Sequence, residues 1–436
     1  MGLGLLGRGV GDARFLAEQG AEVTVTDLKD EDLLKDSVDK LKDLENIRFV
    51  LGEHRIEDFQ NTDMVIKGAG VPLGSPHIEE ARKRGVPIRM STALFAELTP
   101  SIVIGVTGTK GKTTVSYLVH HILKEVGKEV FLGGNARLIS TLAYLPQSKK
   151  GEISVLELDS WQLQGFAEAG ISPPLAIFTN FMPDHLNYYN GDMNAYLEDK
   201  ASIFINQKKE DLLFLGKDVH EKLKGVYDGR IKSKVKDVLS TDLPPDWIVA
   251  IPGEHNRLNA SLATSLARSL GVPMESCKRA LANFPGISGR LEYRGELNGR
   301  KFYNDNNATT PEATVASVDA LKEEGRVILI AGGADKNLPP ENLKKAIESS
   351  IFQTFLLPGS GTDKLKKITD PLKIKEVPDV KQALESAYSV SKEGDIILFS
   401  PAFASFSQFS NEYEREKVFL KELERISSNN PSDGVE

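Results

Sequence analysis

The feature that most constrains this 436-residue chain is a glycine-rich turn with a strand-like run on one side and a helical run on the other. Residues 102–106 are apolar and mostly β-branched, and 115–126 place apolar residues at helical spacing. Between them lies Gly105-Val106-Thr107-Gly108-Thr109-Lys110-Gly111-Lys112-Thr113-Thr114. Such a turn lets backbone N–H groups wrap phosphate oxygens at a helix N-terminus. Lys112 can reach the outer phosphates and the Thr113 hydroxyl can ligate Mg²⁺. Gly105 lies six residues before Gly111, whereas the general phosphate loop has a glycine five before, where Val106 stands. The flanking context still marks a nucleoside triphosphate site.

Strand-like runs alternate with amphipathic helical stretches along nearly the whole chain, the pattern of an α/β protein with helix-covered parallel sheets. The length suits three domains, with boundaries at a Thr-Pro-Ser stretch near residue 100 and at Pro285-Gly286. The expectation is a Rossmann-like N-terminal domain over 1–96, a central phosphate-loop domain over 97–286 and a Rossmann-like C-terminal domain over 287–436. A hairpin is predicted over 291–304 around Asn298-Gly299. The Lys-rich stretch 208–236 reads as peripheral, and the polar tail from Ser427 as frayed.

Composition excludes several classes. Fifty-four basic against 62 acidic residues give a net charge of −8, which argues against a duplex-DNA binder relying on counterion release. No apolar run reaches the roughly 18 residues that span a bilayer. The lone Cys277 fits a reducing cytoplasm and not a disulfide framework. A cytoplasmic, monomeric protein without nucleic-acid partners is expected.

The N-terminus carries a second glycine pattern, Gly2-x-Gly4-x-x-Gly7, with Asp27 twenty residues later. That spacing suits a nucleotide diphosphate on a Rossmann-like turn, either a nicotinamide cofactor or a uridine-type ligand touching Gly4, Leu5 and Asp27. A purely structural turn is the third reading. A buried strand normally precedes such a turn, and here Met1 adjoins it, so either the start is truncated or misassigned or the first domain lacks its central strand. Elsewhere Glu157 ends a strand-like run, His185 follows Pro183 in a polar loop, and Lys200 shares a helical face with Tyr196. Asn256 and Asn259 lie one turn apart at a helix start, where side-chain amides suit an adenine edge or a helix cap. Read singly, these could equally be a salt-bridging acid, a surface histidine and a solvated lysine.

Taken together, the motifs resemble the Mur ligases, ATP-dependent amino-acid ligases of peptidoglycan precursor synthesis. The resemblance rests on Thr107-Gly108-Thr109-Lys110-Gly111-Lys112-Thr113, Gly133-Gly134-Asn135, Glu157 through Leu163, Asn180 to Asp184-His185, Tyr196 to Lys200 and Gly253 through Asn259. It continues in Gly289-Arg290-Leu291-Glu292, Asn304 through Thr309, Gly332 through Lys336 and Ser400-Pro401-Ala402 with Ser405. Within the family it points to the members that add D-glutamate to UDP-N-acetylmuramoyl-L-alanine through an acyl phosphate.

That resemblance implies ATP on Gly108, Thr109, Lys110, Gly111, Lys112, Thr113, Thr114, Asn256, Asn259, Arg290 and Asp305. It implies two Mg²⁺ sites drawing on Thr113, Glu157, His185 and a carbamylated Lys200, with Lys112, Lys200 and His185 as catalytic groups. Asn135, Asn307, Lys336, Ser405 and Phe406 join Gly4, Leu5 and Asp27 as substrate residues. Phe409 is left to the core.

Three departures stand out. Asn306-Asn307-Ala308-Thr309-Thr310 replaces the usual Ser-Lys-Ala-Thr-Asn, so a charged partner for an acidic amino acid, worth roughly 1.5–3 kcal/mol, is gone. Asp159 adds negative charge near the expected metal site. Lys67-Gly68-Ala69-Gly70-Val71-Pro72 lacks a serine hydroxyl of the family pattern. A ligase for another amino acid, a folylpolyglutamate synthase, an NAD(P)-dependent oxidoreductase and a nucleotide switch are the competing readings.

Overall fold

The structure is a computed structural model and describes residues 1–5, 7–136 and 139–429. The chain forms two compact units: Met1–Ile248 with Leu258–Ala282, and Val249–Arg257 with the chain from Asn283 onward. Both are α/β, as the alternating pattern predicts.

In the first unit, six parallel strands lie in the order Lys234–Asp237, Leu212–Leu215, Leu175–Phe178, Ile102–Thr107, Ile153–Glu157, Val130–Gly134. Strand Ile153–Glu157 is buried at every residue, as a strand covered on both faces must be. The helix Lys112–Glu125 turns Val115, Leu118, Val119, Ile122 and Leu123 to the core, the i, i+3, i+4, i+7 stripe that its sequence encodes. The stretch 208–236 is not peripheral. It supplies two strands of this sheet, and Lys234 and Lys236 sit on the exposed edge strand, where charge blocks further pairing.

The N-terminal segment has two separate two-stranded parallel pairs, Val23–Asp27 with Ile47–Leu51 and Val65–Ile66 with Ile88–Arg89. Met1 and Gly2 link them: the Met1 amine donates to Ile66 O (2.9 Å), Gly68 N to Met1 O (2.9 Å) and Gly2 N to Thr26 O (2.7 Å). Met1 and Gly2 thus bridge the two strand pairs.

The second unit has one mixed sheet in the order Glu292–Leu297, Arg300–Asn304, Ile396–Phe399, Val327–Gly332, Ile351–Leu357, Ile374–Glu376. Only the first pair is antiparallel. Its turn holds Asn298 and Gly299 at φ 48° and 73°, the two left-handed residues of a tight hairpin. The terminal helix runs Glu412–Asn429, so residues 427–429 are helical and not frayed; the rest of the expected tail lies outside the described residues.

Candidate active site

The phosphate loop leaves strand Ile102–Thr107 at its carboxyl end and enters the helix Lys112–Glu125 through Gly111, at φ 81°. A Cβ there would meet Asn259 Oδ1 at 2.5 Å, and one on Gly108 (φ 142°) would meet Thr179 Oγ1 at 1.9 Å, so both glycines are obligatory. The next strand's end fixes the loop: Thr109 N donates to Asn180 O (2.9 Å), Lys110 N to Asn180 Oδ1 (2.9 Å) and Thr179 Oγ1 to Lys110 O (2.5 Å). Lys110 pairs with Asp184 at 3.1 Å. Thr113 and Thr114 are half-buried in the helix's first turn.

One carbonyl gathers both predicted lysines. Gly108 O accepts from Lys112 Nζ (3.1 Å) and from Lys200 Nζ (2.8 Å), and Lys112 also donates to Thr109 O (3.0 Å). Lys200, 1% exposed, lies over the Tyr196 ring at 4.7 Å. Burial first, and the neighbouring Lys112 charge second, hold its amine well below the usual lysine range. His185 joins this group with φ 53°, its ring 4.8 Å from Trp161 and 6.0 Å from Tyr196. Burial lowers its imidazole, Lys112 and Lys200 add to the effect, and Asp184 opposes it.

Glu157 ends its strand 3% exposed, with Oε2 buried and without a hydrogen-bond partner. An acid with an unsatisfied buried oxygen fits a cation ligand. No group of three or more His, Cys, Asp or Glu side chains among the described residues is arranged to hold a metal. Asp159 adds its charge beside this site, acting on Lys200 and His185, and also closes a capping box on the helix Ser160–Ala169 by accepting from Gln162 N (2.8 Å).

Two acids escaped the sequence reading. Asp199 accepts from Gln164 and Tyr189 (2.8 Å each), and burial raises its carboxyl. Asp12 accepts from Ser140 Oγ (2.5 Å) and is pushed up to about 6, also by burial. Both lie on helices whose patterning would put an acid in water. Cys277 is fully buried with its thiol pushed up, so it is no nucleophile.

At the N-terminus, Asp27 binds the glycine turn itself: its oxygens accept from Gly4 N and Lys29 N, both at 2.9 Å. Leu5 stands 59% exposed beside it. Asn135 N donates to Glu157 O (2.8 Å), and Arg8 donates to Asn135 O, so this loop joins the N-terminal helix to the strand bearing Glu157.

In the second unit, Asn307, Lys336 and Ser405 all follow the carboxyl ends of three neighbouring strands, where open α/β sheets present ligands. Lys336 Nζ donates to Thr309 Oγ1 (2.8 Å), and Ala334 and Ala404 pair through two backbone bonds. Ser405 is buried and Phe406 exposed. The Asn307 amide donates to Ser288 O (3.3 Å). Asp305 is satisfied internally by Leu291 N, Ser317 Oγ and Ser400 Oγ at 3.0, 2.6 and 2.7 Å, and burial raises its carboxyl to about 6. Arg290 is exposed nearby. Asn256 and Asn259 are buried in the helix Glu254–Ser269, and Asn256 Nδ2 donates to Pro252 O (2.7 Å).

Three family models match in order: the Mur ligase MurD-like N-terminal domain over 1–90, the Mur ligase middle domain over 106–243 and the Mur ligase glutamate ligase domain over 289–403. A UDP-N-acetylmuramoylalanine–D-glutamate ligase from Roseiflexus sp. is 37% identical, covering 98% of each chain. The chain belongs to the Mur ligase family. Ligases of the same name from Borreliella burgdorferi and Geobacillus kaustophilus are 36% and 32% identical, with 96% and 97% of this chain covered and 95% and 97% of theirs. This Mur ligase also shares its fold with the UDP-N-acetylmuramate–alanine ligase of Thermotoga maritima (TM-score 0.61, 20% identity, 98% of each chain). The MurF ligase of that organism, solved with ADP, gives TM-score 0.61 at 19% identity, with 92% of this chain and 95% of that chain covered. Membership makes it an ATP-dependent, ADP-forming ligase.

Proposed function

We propose that this Mur ligase joins D-glutamate to UDP-N-acetylmuramoyl-L-alanine in the cytoplasm, acting as a monomer in peptidoglycan precursor synthesis. The observation that carries the reading is the meeting of Lys112 and Lys200 at the Gly108 carbonyl inside a phosphate loop. In the reaction, a carboxylate oxygen of the acceptor attacks the γ-phosphorus of ATP, the β–γ P–O bond breaks and ADP leaves. The amine of D-glutamate then attacks the acyl carbon, the C–O bond to phosphate breaks, and phosphate and the amine proton depart.

The hard step brings two anions together, so positive charge is needed where they meet. Lys112 and the loop N–H groups hold the outer phosphates. Thr113 and Glu157, with His185 at a second site, are the residues that would hold Mg²⁺, which when bound would supply charge neutralisation at the transferring phosphoryl group. Burial draws the Lys200 amine well below the usual lysine range, which favours the uncharged form that would condense with CO₂ to a carbamate able to ligate metal. His185, kept neutral, offers a ring nitrogen to the same site. Asp27 fixes the turn that holds the acceptor diphosphate.

Phosphate release from ATP is the test. Release that needs both the UDP-linked acceptor and D-glutamate, across a panel of D- and L-amino acids, supports the reading. Equal rates with neutral or L-amino acids remove the substrate assignment, and release without either acceptor leaves only a nucleotide switch.

A further inference from the structure

Arg415 is among the largest side chains that this protein buries completely, at 1% exposed. It sits in the first turn of the helix Glu412–Asn429, where the helix dipole disfavours a cation. Its partners are neutral oxygens. Nε donates to Asn306 Oδ1 (2.8 Å), Nη2 to Asn306 O (2.9 Å) and Nη1 to Phe403 O (3.2 Å). Glu412, on the same helix, acts on it only at a distance, and burial draws the guanidinium down to about 10. A buried cation without a bonded counter-ion is costly to a fold, and a brace alone could use a neutral amide.

The two segments it bridges are those that carry the amino-acid candidates. Asn306 stands between Asp305 and Asn307, and Phe403 two residues before Ser405. Their strands, Arg300–Asn304 and Ile396–Phe399, are neighbours in the sheet. Ala402 holds a left-handed φ of 64° with its N–H on Ala308 O (2.8 Å), a strained link between the same segments that persists only if the surroundings enforce it. Asn307, where an attracting lysine is usual, is neutral and turned to Ser288.

We propose that Arg415 is a specificity-determining positioning residue: its buried charge supplies the attraction for the substrate's side-chain carboxylate that Asn307 lacks, while its fork locks residues 306–307 against 403–405. The assignment rests on the acidic amino-acid substrate argued above.

The test compares KM for D-glutamate and the preference for D-glutamate over neutral D-glutamine, in the full chain with ATP and the UDP-linked acceptor. Arg415→Lys keeps charge but loses the fork, and is expected to keep the preference within about threefold while lowering thermal stability. Arg415→Gln keeps a donor without charge, and is expected to lose about tenfold in preference with the ATP KM unchanged. Asn306→Asp, which gives the guanidinium a counter-ion, is expected to behave like Arg415→Gln. Equal loss of preference in the Lys and Gln variants, or full preference in Asn306→Asp, overturns the role. Wild-type protein that shows no glutamate dependence at all overturns the functional reading itself, which is a separate result.

Discussion

Lys112 and Lys200 reach the same carbonyl oxygen from 4 and 92 residues further along the chain, yet their environments divide their roles. Lys112 is half-buried at a helix start, where an ammonium can meet phosphate; Lys200 is sealed beneath it, where a charge is disfavoured by burial and by Lys112. Lys112→Ala is expected to reduce phosphate release by at least about 10³-fold, the scale of losing a preorganised charge at a developing anion. Lys200→Ala is expected to lose a comparable factor and to recover part of it with added acetate or propionate, which replace a carbamate. Undiminished turnover in Lys200→Ala without any added acid removes the carbamate from the mechanism. Both lysines could be found from sequence, because each belongs to a spaced motif. Arg415 and Asp199 could not. Each lies on a helix whose period would place a charged side chain in water, and only the packed structure reveals that they point inward.

The phosphate loop was readable as an element because its two flanks change period from two to 3.6 around a fixed glycine spacing. Its tolerance is correspondingly small. Gly108→Ala puts a methyl group 1.9 Å from Thr179 Oγ1 at a φ that L-residues rarely adopt, so binding of an ATP analogue is expected to fall more than tenfold and stability by about 1–3 kcal/mol, measured by titration and thermal melting. The two-residue link at Met1-Gly2 had no period to read, and the strand Lys234–Asp237 was masked by its own lysines. The segment 67–71 was read only for a missing hydroxyl, whereas its first residue turns out to anchor it. Lys67, 1% exposed, donates to Val71 O (2.9 Å) and Gly68 O (3.3 Å), and burial lowers its amine from 10.5 to about 8. Because the unfolded chain holds this proton more tightly, the folded state gains stability as pH rises from about 8 to 10.5, and below pH 8 it carries the full penalty. The difference in unfolding free energy between wild type and Lys67→Met should therefore move in favour of wild type by up to about 3 kcal/mol between pH 7.5 and 10.5. A difference that stays flat across that range means the amine titrates normally in the fold.

At the scale of the whole molecule, the sequence pattern settles the α/β class and the order of the modules, because strand and helix periods alternate throughout. It does not settle how many cooperative units result. Turn-rich linkers mark boundaries at residues 96 and 286; the structure divides the chain beside the second, between 282 and 283, and groups 1–248 with 258–282 as one compact unit. Linker composition reports where a chain can bend, and cooperativity depends on which apolar surfaces share a core. Phe15, Leu94, Leu163 and Phe178 share one cluster in the first unit, so the N-terminal helix and the six-stranded sheet are packed through common side chains. The second unit has its own clusters on both faces of its sheet, around Leu329 and Leu356 on one side and Ile330, Phe355 and Phe419 on the other. A sheet covered on both faces within roughly 150 residues has the burial that an independent domain needs. Residues 283–436 expressed alone are therefore expected to fold, with native-like far-UV dichroism and one cooperative thermal transition. Residues 1–96 alone, whose helix packs into the central core, are expected to lack one. A cooperative melt from the 1–96 fragment, or its absence from 283–436, would reverse this division, and with it the expectation that the intact chain melts in two steps, of which an ATP analogue displaces the one that belongs to the phosphate loop.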